Sequence, residues 1–334
     1  MVPGSVVRDP TLTISDVYAA IVRRRRERYA RRPDLRRRLR RPVISVGNLA
    51  IGGRGKTPMV ASIARELLAM GERPAILSRG YGRTQADDGV VVVRDPDGIR
   101  SDLARAGDEP LMLARALAGA SVLVSPDRYL AGTLAEHALG ATVHVLDDGF
   151  QHVQLDRDVD IVLVGRDDIA NPLTLPRGRL REPLDTLIAA DAVLAADDDV
   201  DVSAVGVDLP FFRTRRSVRI PDIDGQPAFA VAGIAAPERF FEDLRRAGSA
   251  IAGTRAFADH HAYSRKDIAR IADAARRAGA QVIVTTEKDY VRMLPWRPFP
   301  MPVECAALTM EPDPQSEFRH WLTGSLGAAR DIVG

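Results

Sequence analysis

Ile14, Val17, Tyr18, Ile21 and Val22 recur at the spacing of one helical face, with Ser15 available as an N-cap. Arginines follow at once, so the predicted helix carries an apolar stripe into a cationic end. From Pro42 onward the pattern changes. Short β-branched runs (Val43 to Val46, Ala75 to Leu77, Val90 to Val93, Val122 to Val124, Val143 to Leu146, Ile161 to Val164, Val193 to Ala195) alternate with helical patterns such as Val60, Ile63, Ala64, Leu67 and Leu68. Such alternation predicts βαβ units, hence an α/β fold with a mainly parallel sheet flanked by helices. Polar and turn residues gather at 197–201 and again at 213–225, where a domain boundary is expected. Beyond it, a strand at Phe229 to Val231, helices over Pro237 to Arg246 and Lys266 to Ala278, and a strand at Gln281 to Val284 predict a smaller α/β unit. The expected organisation is a basic amphipathic helix within 1–41, a main domain over 42–213 and a C-terminal α/β domain over 225–334.

Composition narrows the class. With 46% hydrophobic and 28% charged residues in 334, the chain buries a sizeable core and is neither disordered nor fibrous. Its one cysteine, Cys305, permits no intrachain disulfide, and the first twenty residues lack the marks of a secretory signal, so a cytoplasmic setting is expected. The longest apolar run, Ala228 to Ala236, is about half of the roughly 20 residues that a bilayer-spanning helix requires. The net charge of +2 conceals an asymmetry: residues 16–41 hold twelve arginines against Asp16, Glu27 and Asp34. A basic amphipathic helix of this kind suits an anionic membrane surface, nucleic acid, or docking on its own domain. Nucleic-acid binding is disfavoured by 5% aromatics, with only Tyr18 and Tyr29 near the arm. Only Lys56, Lys266 and Lys288 are lysines, which marks each as a place where arginine is a poor substitute.

The first of them lies in Val43-Ile-Ser-Val-Gly-Asn-Leu-Ala-Ile-Gly-Gly-Arg-Gly-Lys-Thr57, a strand, a glycine-rich turn and a helix start with Pro58 in its first turn. Gly52, Gly53 and Gly55 allow backbone N–H groups to converge on phosphate oxygens, Lys56 reaches the outer phosphates, and the Thr57 hydroxyl can ligate magnesium. Ala50 breaks the strict G-x-x-x-x-G-K-T pattern, so this is a variant phosphate loop. About 90 residues later, Val143-His-Val-Leu-Asp-Asp-Gly-Phe-Gln-His152 ends a strand in two aspartates. Asp147 or Asp148 fits the carboxylate that holds the metal in phosphate-loop enzymes. A second acidic turn, Gly107-Asp-Glu-Pro110, precedes the predicted helix Leu111 to Leu117. By position alone Asp108 reads as that helix's cap.

Eight stretches taken in order resemble one family: VISVGNLAIGGRGKTP (43–58), ILSRGYGR (76–83), AGDEP (106–110), SPDRY (125–129), LDDGFQH (146–152), LPRGRLREPL (175–184), FADHHAYS (257–264) and TTEKDYVR (285–292). The chain is similar through them to the tetraacyldisaccharide 4'-kinases, the lipid A 4'-kinases of Gram-negative bacteria. The resemblance implies a phosphate-loop kinase over 42–213 that moves the γ-phosphate of ATP, with magnesium, onto the 4'-hydroxyl of an acylated glucosamine disaccharide 1-phosphate. It implies that Lys56 and Thr57 hold phosphates and metal, and that Asp148, with Asp147 beside it, takes the metal side. Asp108 becomes a general base together with His260, which overturns the cap reading, and Arg128 and Arg181 lie near nucleotide or lipid phosphates. Arg79 and Tyr81, at a strand end, are expected to line the sugar pocket. With Asp108 in one domain and His260 in the other, closure would assemble the site. The basic helix would hold the enzyme at the cytoplasmic face of the inner membrane, and no obligate protein partner is implied.

Other residues read as structural. His261 is expected to point away from its neighbour His260, His144 to be a satisfied sheet histidine, and His137 and His320 to lie on helix surfaces. Lys288 either faces the nucleotide or pairs with Glu287 or Asp289. Arg177 and Arg179 stand where the family carries small or apolar residues, which changes that loop. A second reading is a membrane-associated switch ATPase of the deviant phosphate-loop kind. Ile51 occupies the place of that class's signature lysine, and neither the Asp108 turn nor the His260 stretch has a role in it.

Overall fold

The computed structural model describes residues 13–85, 89–201 and 208–333; the first twelve residues of the segment expected over 1–41 lie outside the described residues. The first helix is α1 (Ile14–Arg31). The next elements are β1 (Val43–Asn48), α2 (Lys56–Ala69), β2 (Pro74–Ser78), β3 (Val91–Asp95), β4 (Gly98–Ile99), α3 (Leu103–Ala106), α4 (Asp108–Ala116) and β5 (Ser121–Val124). They are followed by α5 (Arg128–Ala138), β6 (Val143–Asp147), β7 (Val159–Val164), α6 (Arg166–Ala170), β8 (Ala192–Ala195) and β9 (Phe211–Arg219). The last part of the chain forms β10 (Ala228–Ala232), α7 (Pro237–Arg246), β11 (Ile251–Ala256), α8 (Arg265–Arg277), β12 (Val282–Thr286), α9 (Glu287–Met293), β13 (Val303–Asp313) and α10 (Gln315–Val333).

The strands join one sheet in the order β11-β10-β12-β13-β9-β8-β7-β1-β6-β2-β5-β3-β4. Pairing is parallel except where β13 meets β9, β5 meets β3 and β3 meets β4. Every residue of β1, β6 and β7 is buried, the mark of a parallel sheet covered on both faces, which is why these strands read as unbroken apolar runs. On one face Met59, Ile63 and Leu67 of α2 and Phe318, Leu322 and Leu326 of α10 pack on Ile44, Ile76 and Val145. On the other, Ala131 and Ala135 of α5 cover Val43, Leu77 and Leu146. Full burial of each larger aliphatic contributes roughly 1.5–3 kcal/mol.

Three local expectations are corrected. The cap of α1 is Thr13, not Ser15: Thr13 Oγ1 accepts from Asp16 N, and Asp16 returns the contact to Thr13 N at 2.9 Å. Ser15 is buried instead, and its Oγ accepts from Arg177 N at 3.2 Å. Helix α4 starts at Asp108, three residues before the expected Leu111, because proline in a first turn lacks only an N–H that the helix leaves unused. The polar stretch that begins at Arg213 is largely strand. In β9, Phe212 and Thr214 are buried while Arg213, Arg215, Ser217 and Arg219 face outward, a period-two pattern carried by arginines.

Candidate active site

The phosphate loop joins the buried end of β1 to the start of α2, where the backbone N–H groups and the positive end of the helix dipole face outward together. Gly55 occupies the N-cap position at φ +79, and a Cβ there would meet Met310 Sδ of β13 at 2.3 Å. A side chain there would demand both a left-handed backbone and a shift of Met310. Lys56 Nζ donates to Asn48 Oδ1 at 3.0 Å and lies 3.5 Å from Asp148 Oδ1; Thr57 is buried beneath the loop. Gly52 and Gly53 form its turn, Gly52 at φ +101. Arg54 points away from the loop's interior and pairs with the buried Asp168 at 2.6 Å. The arginine-rich loop clasps the phosphate loop from outside: Ile51 N donates to Arg179 O at 2.8 Å, Arg181 N to Leu49 O at 2.6 Å, and Arg179 Nη2 to Ile51 O at 3.1 Å. Arg179 thus has a contact that a small residue lacks.

The paired aspartates occupy opposite environments. Asp147 ends β6 inside the protein, and burial, reinforced by Glu109 and Asp148, pushes its carboxyl up to about 7. Asp148 turns out of the strand at φ 55. Burial pushes its pKa up, but hydrogen bonds from Arg181 and the charge of Lys56 prevail and hold it below its ordinary value. Arg181 grips it with two prongs, Nη1 to Oδ2 and Nη2 to Oδ1, each at 2.7 Å. Arg128, at the first position of α5, is buried, and among the described residues its guanidinium donates to Pro126 O at 3.1 Å. Burial and the like charge of Arg79 push it down to about 10 against the pull of Asp147, Asp148 and Asp127.

Asp108 and His260, 152 positions apart, meet: His260 Nδ1 is 3.2 Å from Asp108 Oδ2. Asp108 does not cap α4; Gly107 holds that place, and the buried carboxylate faces Arg292 instead. His260 is held at φ 58, with Tyr81, 76% exposed, edge-on to its ring at 6.0 Å. Arg79 is exposed on the same turn. His261 points elsewhere, stacked on Phe257 at 4.5 Å and 3.4 Å from Asp267. His144 Nε2 lies 3.1 Å from Glu136 Oε1, and His137 and His320 are exposed. Lys288 pairs with neither expected neighbour: its Nζ donates to Glu109 Oε1 at 2.8 Å, while Asp289 pairs with Arg292. Three site residues escape the sequence reading: Asn48, Glu109 and Arg292. Each lay inside a quoted motif, and a polar residue closing an otherwise apolar strand was the available signal for Asn48.

Among the described residues no three His, Cys, Asp or Glu side chains converge into a metal cage. Magnesium bound largely through phosphates and water needs only one or two carboxylates, and the hard oxygens of Thr57, Asp147 and Asp148 fit that demand.

This arrangement has close relatives. The profile of the family described as tetraacyldisaccharide-1-P 4'-kinase matches residues 10–327. A tetraacyldisaccharide 4'-kinase of Geobacter sulfurreducens is 41% identical over 310 residues, covering 89% of this chain and 87% of that protein. One from Nitrobacter winogradskyi is 37% identical over 343 residues, covering 99% and 97%. The crystal structure of Aquifex aeolicus LpxK in complex with ATP superposes with a TM-score of 0.79 at 30% identity, covering 93% of this chain and 97% of that one. With the profile spanning almost the whole chain, and a phosphate loop, paired aspartates and an Asp–His pair converging on one side of the sheet, the chain belongs to the tetraacyldisaccharide-1-P 4'-kinase family.

Proposed function

We infer that this chain transfers the γ-phosphate of ATP to the 4'-hydroxyl of tetraacyldisaccharide 1-phosphate, forming lipid IVA, with Asp108 as the general base. The observation that carries the assignment is the meeting of Asp108 with His260 at 3.2 Å in a chain whose phosphate loop brings Lys56 to 3.5 Å from Asp148. Asp147 feels both Lys56 of the phosphate loop and Glu109, the neighbour of Asp108. The switch-ATPase reading leaves Asp108 and His260 without a task.

A sugar hydroxyl is a poor nucleophile near neutral pH, and a carboxylate within reach of its proton removes that barrier. Asp108 accepts the 4'-hydroxyl proton as that oxygen bonds to the γ-phosphorus, and the bond from phosphorus to the β,γ-bridging oxygen breaks to release ADP. His260, beside Asp108, orients the carboxylate. Gly52, Gly53 and Gly55 present backbone N–H groups to the phosphates, and Lys56 neutralises charge on the outer ones. Thr57, Asp147 and Asp148 would hold magnesium, which when bound neutralises charge on the β- and γ-phosphate oxygens. Arg128 and Arg181 serve phosphate groups of nucleotide or lipid. Arg79 and Tyr81, on the turn facing His260, border the sugar.

The chain works as two parts, 42–213 and 225–334, whose closure brings Asp108 to His260. Part of α1 is docked: Tyr18 Oη donates to Arg181 O at 3.0 Å, Arg23 pairs with Asp185 at 2.8 Å, and Arg26 pairs with Glu182 at 2.5 Å while lying over the Phe150 ring. Ile14, Val17 and Ile21 remain exposed. No helix of the described residues is long and apolar enough to cross a membrane. The exposed stripe and neighbouring arginines suit peripheral contact with the anionic inner-membrane surface.

The test is transfer of labelled γ-phosphate from magnesium-ATP to tetraacyldisaccharide 1-phosphate in mixed micelles. Labelled lipid is expected with the intact chain, and its rate should fall by at least about 100-fold in Asp108→Ala and in Lys56→Ala. ATP hydrolysis without labelled lipid would overturn the reading.

A further inference from the structure

Arg292 is as buried as the carboxylate it meets. It reaches Asp108 with two of its nitrogens, Nε at 2.9 Å and Nη2, and both address the same oxygen, Oδ2. His260 Nδ1 lies on that side too, 3.2 Å from Oδ2 and 3.1 Å from Arg292 Nη2. The other oxygen, Oδ1, accepts from Glu109 N at 2.9 Å and faces the turn of Gly80, Tyr81 and Gly82, where a Cβ on Gly82 would stand 4.0 Å from it. Arg292 is itself fixed from behind: Nη1 donates to Gly233 O at 2.8 Å and to Asp289 Oδ1 at 3.2 Å. Asp289 is fully buried and accepts from Gly233 N, Tyr263 Oη and Thr286 Oγ1. The guanidinium therefore cannot rotate without dismantling this frame.

We propose that Arg292 is a positioning residue: by occupying Oδ2 of Asp108 it leaves Oδ1 as the oxygen that takes the acceptor hydroxyl's proton. The inference rests on the reading of Asp108 as the base. His260 brings Nδ1 to the same oxygen, and its Nε2 lies 3.5 Å from Lys288 Nζ, so the ring is engaged on the Oδ2 side and leaves Oδ1 open. Oδ1 points toward the turn that bears Arg79 and Tyr81, where the sugar is expected.

The groups facing Asp108 are Lys288 and Arg292 of α9, His260 of the loop before α8, Glu109 of its own helix, and the 79–83 turn with Tyr81 and Arg83. Burial pushes the Asp108 carboxyl up, but Lys288, Arg292 and His260 together hold it below its ordinary value. Removing the Arg292 charge raises it, so activity is lost at a higher pH as the solution is acidified.

The experiment compares the pH dependence of lipid phosphorylation in the intact protein, Arg292→Lys, Arg292→Gln, Asp289→Asn and Asp108→Asn. Both Arg292 variants are expected to lower kcat by roughly 10- to 100-fold, with KM for ATP within about twofold, because a misaimed base costs rate and leaves nucleotide binding intact. In Arg292→Gln the acidic limb moves to higher pH; Arg292→Lys, which keeps the charge, restores the limb but not the rate. Asp289→Asn reports what loosening the frame does alone, a lower melting temperature with the limb in place. Should Arg292→Gln fail to fold, the rate and the acidic limb of Arg292→Lys decide. An inactive Asp108→Asn beside folded Arg292 variants of unchanged rate and limb overturns this inference alone. An active Asp108→Asn overturns the base assignment and the inference with it.

Discussion

Two successive aspartates show how strongly one step along the chain changes a carboxylate. Asp147 still obeys the strand and points inward, whereas Asp148 has left it in the left-handed region and is gripped by Arg181. The pair was legible as a pair, from an apolar strand closing in two acids, but which member is buried depends on where the strand ends. The difference carries a sign. An acid whose folded pKa is raised holds a proton that the unfolded chain has already lost, so its penalty grows as pH climbs from the ordinary 3.8 and is complete above about 7. Metal-free Asp147→Asn should therefore be more stable than the parent at pH 8, by on the order of 2 kcal/mol, and should match it below about pH 4. Thermal melts across pH in the presence of a chelator check this; equal melting temperatures at pH 8 would contradict it. The gain comes with loss of lipid phosphorylation, the usual conflict between a strained site and stability.

Turns and element ends determine whether those residues meet. Gly107 stands at φ 84 and ψ 167, a conformation reserved for glycine, and a Cβ there would press on Tyr81 O at 2.7 Å. It brings the 78–83 turn against the start of α4 and so places Asp108 opposite His260. Gly107→Ala is expected to cost about 1–3 kcal/mol of stability and to lower kcat more than KM for ATP, measured by melting and by steady-state rates. An unaltered kcat would show that the base tolerates a shift of its helix. Sequence pattern located the phosphate loop, its flanking strand and helix, and the helix Pro237–Arg246 to the residue. It passed over β9, whose arginines imitate a linker, and delayed α4 to Leu111 because proline is read as a boundary. In each case the neighbours on the sheet, not local propensity, supply the stabilisation.

In the complete protein, contacts between the two ends of the chain make the site. Lys288 meets Glu109, Arg292 and His260 meet Asp108, and Met310 of β13 lies against Gly55 of the phosphate loop. The outer stripe of α1 supplies a prediction for the assembled molecule. Ile14→Ser with Ile21→Ser should weaken binding to anionic vesicles by roughly tenfold, with unchanged melting temperature, since both side chains are already exposed. Sedimentation with vesicles, repeated at rising salt, checks it, and unaltered binding would assign the stripe no membrane role. Read as text, the chain announces a phosphate-loop α/β protein, its paired aspartates and, through eight ordered motifs, its family, because backbone cradles and buried strands impose local spacing that survives in one dimension. The partner of Lys288, the grip of Arg292 on Asp108, the inward turn of Asp147 and the seat of α1 were decided by tertiary structure alone. Those contacts join residues over a hundred positions apart, and no local spacing encodes which side chains a folded sheet will bring within 3 Å of one another.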